Sequence, residues 1–293
     1  MNKIENILWQ AKLQKNKNWL KVRKLLKEGL EEFPEEKELM LALADLYLSK
    51  KIYRKAIEQY QKALELDRNN EFTIFRIGNC FLSLNEYRIA IDYYEKLEKQ
   101  FPELLYNLAF AYSKIGRVDK SLEILTNLLN FKVNSELPYL FLAELYFSKN
   151  KFKKAIEYID KAEKSFGKRG TICYLRGLAY FQLRNWLKAY VEFQHAEKLK
   201  VGSFHFYRNF GLTCEKIGKT SEAINLILKS VKLSPLDPVG YIELIKIYLV
   251  HNRYMEAYSM VQLAKRNVPF SITLSMLYNQ ILEKIDKHKL LKI

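Results

Sequence analysis

A small residue that returns every 34 positions governs what this chain can fold into. It stands at Ala56, Ala90, Ser121, Ala155, Ala189, Ala223 and Ala257, and only the interval from Ala90 to Ser121 is shorter, at 31. The surrounding segments read alike: YRKAIEQYQKALELDR at 53–68, YRIAIDYYEKLEKQFP at 87–102, FKKAIEYIDKAEK at 152–164. Twelve residues earlier lies a second small position, held by Ala44, Gly78, Ala109, Ala143, Gly177 and Gly211, with Ile245 as the exception. Three residues beyond that come Tyr47, Phe81, Tyr112, Tyr146, Tyr180, Cys214 and Tyr248, and Pro34, Pro102, Pro235 and Pro269 close several repeats. Self-similarity of this period marks a solenoid whose repeat is one supersecondary unit, unable to bury its apolar face without neighbours.

Within each repeat the apolar residues follow a helical row, as in Met40, Leu43, Ala44 and Tyr47. Small residues let two helices approach, and the aromatic one turn on fills the space beside them. Gly116 and Gly218 stand where the first helix of a repeat should stop. The repeats are read as 3–36, 37–70, 71–101, 102–135, 136–169, 170–203, 204–237 and 238–271. Residues 272–293 follow as a terminal helix with the row Leu274, Leu277, Tyr278, Ile281 and Ile285, able to cap the last repeat.

This order of small, aromatic and proline positions resembles the tetratricopeptide-repeat (TPR) family over essentially the whole chain. The resemblance implies an all-α fold, a right-handed superhelical solenoid of about eight helix-turn-helix repeats with a C-terminal capping helix. It also implies a concave groove lined by the first helix of each repeat. Three features depart from the pattern: Gln10 and Val22 at the small positions of the first repeat, the shortened third repeat, and Ile245.

Composition narrows the function classes. Nearly half the residues are hydrophobic, so a folded core is expected. Ten glycines and six prolines are too few for an all-β protein with many tight turns. The nearly apolar stretches Leu137–Phe147 and Tyr174–Phe181 are too short to span a bilayer, so no integral membrane association is expected. Residues 1–6 lack a secretory leader, and Cys80, Cys173 and Cys214 form no paired spacing, so a cytoplasmic location with buried free thiols is expected. The net charge is +16. Basic residues crowd positions 1–30, Lys15 and Lys17 among them, and recur from Lys284 to Lys292. Such charge attracts nucleic acid or an anionic membrane surface, or serves solubility.

If the core takes positions 4, 7, 8 and 11 of each repeat, a neighbouring helical row is left for a ligand. That row contains Phe72, Phe75, Asn79 and Leu82, then Glu103, Tyr106, Phe110 and Ser113, then Leu137, Leu140, Glu144 and Phe147, then Thr171, Tyr174, Leu178 and Phe181, and turns polar with His205, Arg208, Leu212 and Glu215. Exposed apolar rows mark interaction surfaces, and aromatic anchors dominate binding. An extended peptide or amphipathic helix of a partner protein is the expected occupant; alternatively, a tight superhelix buries the row on itself. Some relatives of the family hold acidic C-terminal tails in a clamp of Lys, Asn and Arg. Asn79 and Asn107 resemble its Asn members. Phe75, Leu137 and Phe141 occupy the basic places, Arg76 lies one position away, and Arg208 and Asn209 are a second, partial pair.

No enzymatic chemistry is legible. His195, His205, His251 and His288 share no ligand spacing, so no metal is expected. No phosphate-binding glycine motif is present, and Phe166–Gly170 is an inter-repeat turn. The expectation is a non-catalytic scaffold or adaptor without cofactor. The competing reading is a basic repeat protein that binds nucleic-acid phosphates and releases them in salt.

Overall fold

The computed structural model describes residues 2–14 and 18–290, except the side chains of 287–290. Lys15, Lys17 and Lys292 therefore lie outside the described residues, as do the side chains of Lys287, His288 and Lys289. The described residues are helical throughout, without strands, and group into two compact units, Met1–Pro138 and Tyr139–Ile293.

The first unit contains four antiparallel hairpins: α1 (Lys3–Gln14) with α2 (Trp19–Glu32), α3 (Lys37–Ser49) with α4 (Tyr53–Leu66), α5 (Glu71–Ser83) with α6 (Tyr87–Tyr94), and α7 (Pro102–Lys114) with α8 (Val118–Leu128). Within this unit α2 packs on α3, α4 on α5 and α6 on α7, each second helix on the first helix of the next hairpin, as a solenoid requires. The missing three residues of the third repeat are taken from its second helix, since α6 has only eight residues and Leu97 completes its apolar face from the following turn. In the first hairpin Ala11, one position after Gln10, is the buried residue of α1, and Val22 is buried on α2.

The second unit starts with α9 (Leu137–Ser148) and α10 (Phe152–Phe166) and continues with α11 (Gly170–Gln182) and α12 (Trp186–Lys198). Then follow α13 (Phe204–Lys216) and α14 (Thr220–Leu233), and α15 (Pro238–Val250) and α16 (Tyr254–Asn267). The last helix, α17 (Ile272–Leu290), lays Leu274, Leu277 and Ile281 against α15 and α16.

Inside a hairpin, the small residue of the first helix faces a large residue sixteen positions later. A Cβ placed on Gly78 would lie 2.5 Å from the Tyr94 ring, on Gly177 2.7 Å from Phe193, and on Gly211 2.6 Å from Ile227. The same register pairs Ala44 with Tyr60 and Ala109 with Leu125. It also accounts for Ile245: its counterpart is Val261, smaller than a ring, and both are fully buried in one cluster.

The mid-hairpin turns repeat equally closely. Lys51, Asn85, Gly116, Asn150, Arg184, Gly218 and Asn252 all have φ between +55° and +81°. At each, the N–H one residue on donates to the carbonyl of the aromatic-row position, as in Ile52 to Tyr47 at 2.9 Å and Arg253 to Tyr248 at 2.8 Å. This is the six-to-one hydrogen bond of a Schellman stop, which asks for a left-handed residue.

Candidate functional site

In the first unit, the helical faces of α5 and α7 bring seven of the expected residues together. Phe72 is half exposed, at 52%, and the Arg76 guanidinium lies 4.7 Å over its ring. Phe75 was expected to be exposed and is not: 7% of it is accessible, because its ring meets Phe101 edge-on at 4.9 Å and Tyr94 at 5.9 Å. Tyr106 and Phe110 on α7 are partly buried. Phe110 approaches Tyr87 at 6.3 Å, and Lys114 stands 5.0 Å from its ring. A cavity of about 460 Å³ opens between Phe72, Phe75, Arg76, Asn79, Lys99 and Phe101, with the carboxylates Glu71 and Glu103 also lining it.

The polar floor of this site is an amide pair. Asn79 Oδ1 accepts from Tyr94 OH at 2.7 Å and from Asn107 Nδ2 at 2.9 Å, tying α5, α6 and α7 together. Burial raises the Tyr94 phenol well above its usual range, so it stays a neutral donor. With the Asn79 carbonyl oxygen doubly engaged and Phe75 packed inward, these residues do not form a clamp of cations around a carboxylate. Arg76 is the cation that the face offers instead.

In the second unit, α9 buries Leu140 at 7% exposure, again against the expectation of an exposed row, buries Phe141 of the clamp comparison at 9%, and leaves Glu144 exposed. Phe147 is partly buried against Phe152, at 5.6 Å. On α11, Tyr174 meets Phe206 edge-on at 5.7 Å, Phe181 meets Trp186 at 5.1 Å, and Leu178 packs partly into the core. Asn209 on α13 donates to Tyr174 OH at 3.4 Å, and Arg208 pairs with Asp237 at 3.6 Å. The Tyr174 phenol is raised by burial, an effect that the Asn209 bond opposes. The apolar row is thus mostly a seam between stacked hairpins, with Phe72 and, at 54% exposure, Leu137 its exposed exceptions.

Sequence reasoning missed several contributors. Tyr94 and Phe101 lie outside the first helices, yet they set the positions of Asn79 and Phe75; the sixteen-residue pairing of Gly78 with Tyr94 was the available signal. Also missed was Arg176 on α11, whose side chain is only 13% exposed. It pairs with Asp160 at 3.2 Å, with Glu163, and with Glu192 at 3.8 Å. Burial alone would lower the Arg176 pKa, but the Glu163 hydrogen bond and the three carboxylates more than offset it, so the guanidinium is held charged. Among the described residues, no group of three or more His, Cys, Asp or Glu could hold a metal ion, and no helix is long and apolar enough to cross a membrane.

Stacked hairpins with small-to-large pairing and a left-handed stop at each turn define a helical-repeat protein. A family model described as YpiA-like tetratricopeptide repeats matches residues 22–70, and two further tetratricopeptide-repeat models match 73–104 and 138–166. A TPR repeat-containing protein of Methanocaldococcus jannaschii is 24% identical, with 64% of this chain and 41% of that protein covered. The BBSome complex member BBS4 homolog of Drosophila melanogaster is 26% identical over 82% of this chain and 46% of its own length. Among solved structures, the C-terminal part of a TPR repeat-containing protein from Cytophaga hutchinsonii superposes with a TM-score of 0.64, at 19% identity, over 80% of this chain and 97% of that one. The APC/C hetero-tetramer Cut9–Hcn1 gives 0.61 at 19% identity, over 96% and 57%. The chain is a tetratricopeptide-repeat protein. It spans less than half the length of these curated relatives.

Proposed function

We propose that this protein is a non-catalytic scaffold that holds a peptide or helical segment of a partner protein on its first-helix faces. Its repeats and its likeness to components of multi-protein assemblies support an interaction role at the coarse level. One observation carries the finer reading: a half-exposed Phe72 under the Arg76 guanidinium, beside a cavity walled by aromatic rings and by Asn79, whose amide is held by Asn107. A large exposed ring beside a polar floor supplies both an anchor and an orienting group. The favoured occupant is a segment with an apolar anchor side chain followed by a carboxylate, the anchor entering beside Phe72 and the acid meeting Arg76.

Selection of a displayed peptide library on the full chain, counter-selected on Phe72→Ala/Arg76→Glu, tests this. The expected outcome is enrichment of acidic-apolar peptides that the variant no longer holds while its helix content is unchanged. Peptides retained equally by the variant would remove this face as the site.

A further inference from the structure

Nine residues after the small residue of each second helix, the second unit repeats one charge: Lys164, Lys198, Lys232 and Arg266, each 34 apart and each exposed. The same register position in the first unit holds Glu31, Glu65, Lys99 and Asn130, so the ladder belongs to the second unit alone. Contacts bring the four rungs onto one edge. Lys168 Nζ reaches His195 at 3.0 Å, Lys229 pairs with Glu197 at 3.6 Å, and Ser230 Oγ donates to Phe204 O at 2.8 Å. Tyr241 OH joins the last two turns, donating to Pro235 O at 3.2 Å and accepting from Asn267 Nδ2 at 2.7 Å.

The edge segments 161–170, 195–203, 229–237 and 263–272 contain ten Lys or Arg and three acids. Each acid is already engaged: Glu163 by Arg176, Glu197 by Lys229, and Asp237 by Arg208. Two of those partners come from first helices, so the edge keeps most of its positive charge. From the same turns project bulky apolar side chains that no core absorbs: Phe270 at 96% exposure, Ile272 at 77%, Leu236 at 76%, Leu233 at 56% and Leu199 at 45%. Leu236 and Phe270 share a register position, as do Leu199 and Leu233.

We infer that this edge docks on an anionic lipid surface. The Lys and Arg ladder meets headgroup phosphates, while Leu236, Phe270 and Ile272 enter the boundary between headgroups and acyl chains. Cationic flanks around aliphatic tips are the arrangement such an interface rewards. A nucleic-acid backbone would match the charge but give Leu236, Ile272 and Leu233 nothing to bury against.

Cosedimentation of the full chain with vesicles tests the inference, comparing phosphatidylcholine alone with phosphatidylcholine containing phosphatidylserine. Binding is expected only to the anionic vesicles, weakening as salt rises. Replacing Lys164, Lys198, Lys232 and Arg266 by Glu should lower partitioning several hundredfold, taking about fivefold for each basic residue near the surface. Replacing Lys27, Lys50, Lys55 and Lys132 of the first unit by Glu makes the same change in net charge and should cost little. Leu236→Ser/Phe270→Ser should weaken binding while leaving its salt dependence in place. All six wild-type rungs and tips altered here are exposed, so helix content should match wild type in every variant. No binding to anionic vesicles, an equal loss from the first-unit set, or binding to duplex DNA or RNA but not to vesicles would each overturn the inference.

Discussion

Giving Gly177 a methyl group tests the size pairing that sets the hairpin. In an ordinary helix interior, Gly→Ala is worth about 1 kcal/mol in favour of alanine. Here the new Cβ would stand 2.7 Å and 2.8 Å from two atoms of the Phe193 ring. That ring is fully buried and packed against Phe206 at 6.0 Å, Phe210 at 5.8 Å and Tyr174 at 6.1 Å, so it has nowhere to move. Overpacking of a tight core costs about 1–3 kcal/mol. Gly177→Ala should therefore be destabilising by about 1–2 kcal/mol net of the propensity gain. Phe193→Leu alone leaves a partial cavity and should cost about 1–2 kcal/mol. In that background the methyl group has room, as Ala109 has opposite Leu125, and Gly177→Ala should become stabilising. The cycle predicts a coupling of about 2 kcal/mol or more between the two sites. Urea unfolding read by Trp186 fluorescence, with Trp9 and Trp19 replaced by Phe, confines the signal to the affected hairpin. If Gly177→Ala destabilised equally with Phe or Leu at 193, steric pairing would not be what selects the small residue.

The remaining predictions concern the site, the turns and the buried ionisable groups. Phe75→Ala should cost about 3–5 kcal/mol in urea unfolding whereas Phe72→Ala should be near neutral, since the first ring is core and the second is half exposed. Arg184→Gly should raise the thermal midpoint, because Arg184 sits at φ +56° where Gly116 and Gly218 occupy the same turn without a Cβ. Burial pushes the Cys80 thiol to about 11 and the Cys214 thiol to about 12, from an unfolded value near 9. Raised folded values mean that the stability is fully present below pH 9 and is lost as pH rises toward those values. Thermal midpoints should thus fall between pH 9 and 10.5, and the native thiols should resist iodoacetamide at pH 8 while reacting fully in urea. Arg176→Ala should cost about 3–5 kcal/mol, leaving Glu163 and Glu192 without the cation they share. Adding Glu163→Gln and Glu192→Gln should recover part of that loss, as measured by the same unfolding curves.

The repeat was legible because it is written in residues whose size is constrained from both sides. Gly78 must be small for Tyr94, and the carbonyl of Phe81 must find a donor five residues on, so spacing alone exposes both helices and the turn between them. Which side of a first helix faces solvent was much less legible. A first helix packs against its own partner and against helices of adjoining hairpins, so it is apolar nearly all round; α9, LPYLFLAELYFS, has no polar stripe to choose a face. The expected row consequently included Phe75 and Leu140, which belong to the seam as Phe141 of the clamp comparison does, and it placed Phe72 without the Arg76 contact that distinguishes it. The network around Asn79 depends on Tyr94, fifteen residues away on another helix, and only the sixteen-residue register that sets Tyr94 against Gly78 hints at it.

The charge ladder shows the opposite balance. Residues such as Lys164 and Lys198 have no packing role that fixes their identity, so each looks alone like ordinary solvated filler. Only the hairpin register turns them into a row, and only the structure shows that neighbouring acids are drawn off by Arg176 and Arg208. A net charge of +16 had pointed to the basic first thirty residues, where positive charge is dense in sequence. Density in sequence and density in space differ in a solenoid, because residues 34 apart become neighbours while residues three apart can face different partners. For a protein of this kind, a surface is best sought by reading down the repeat.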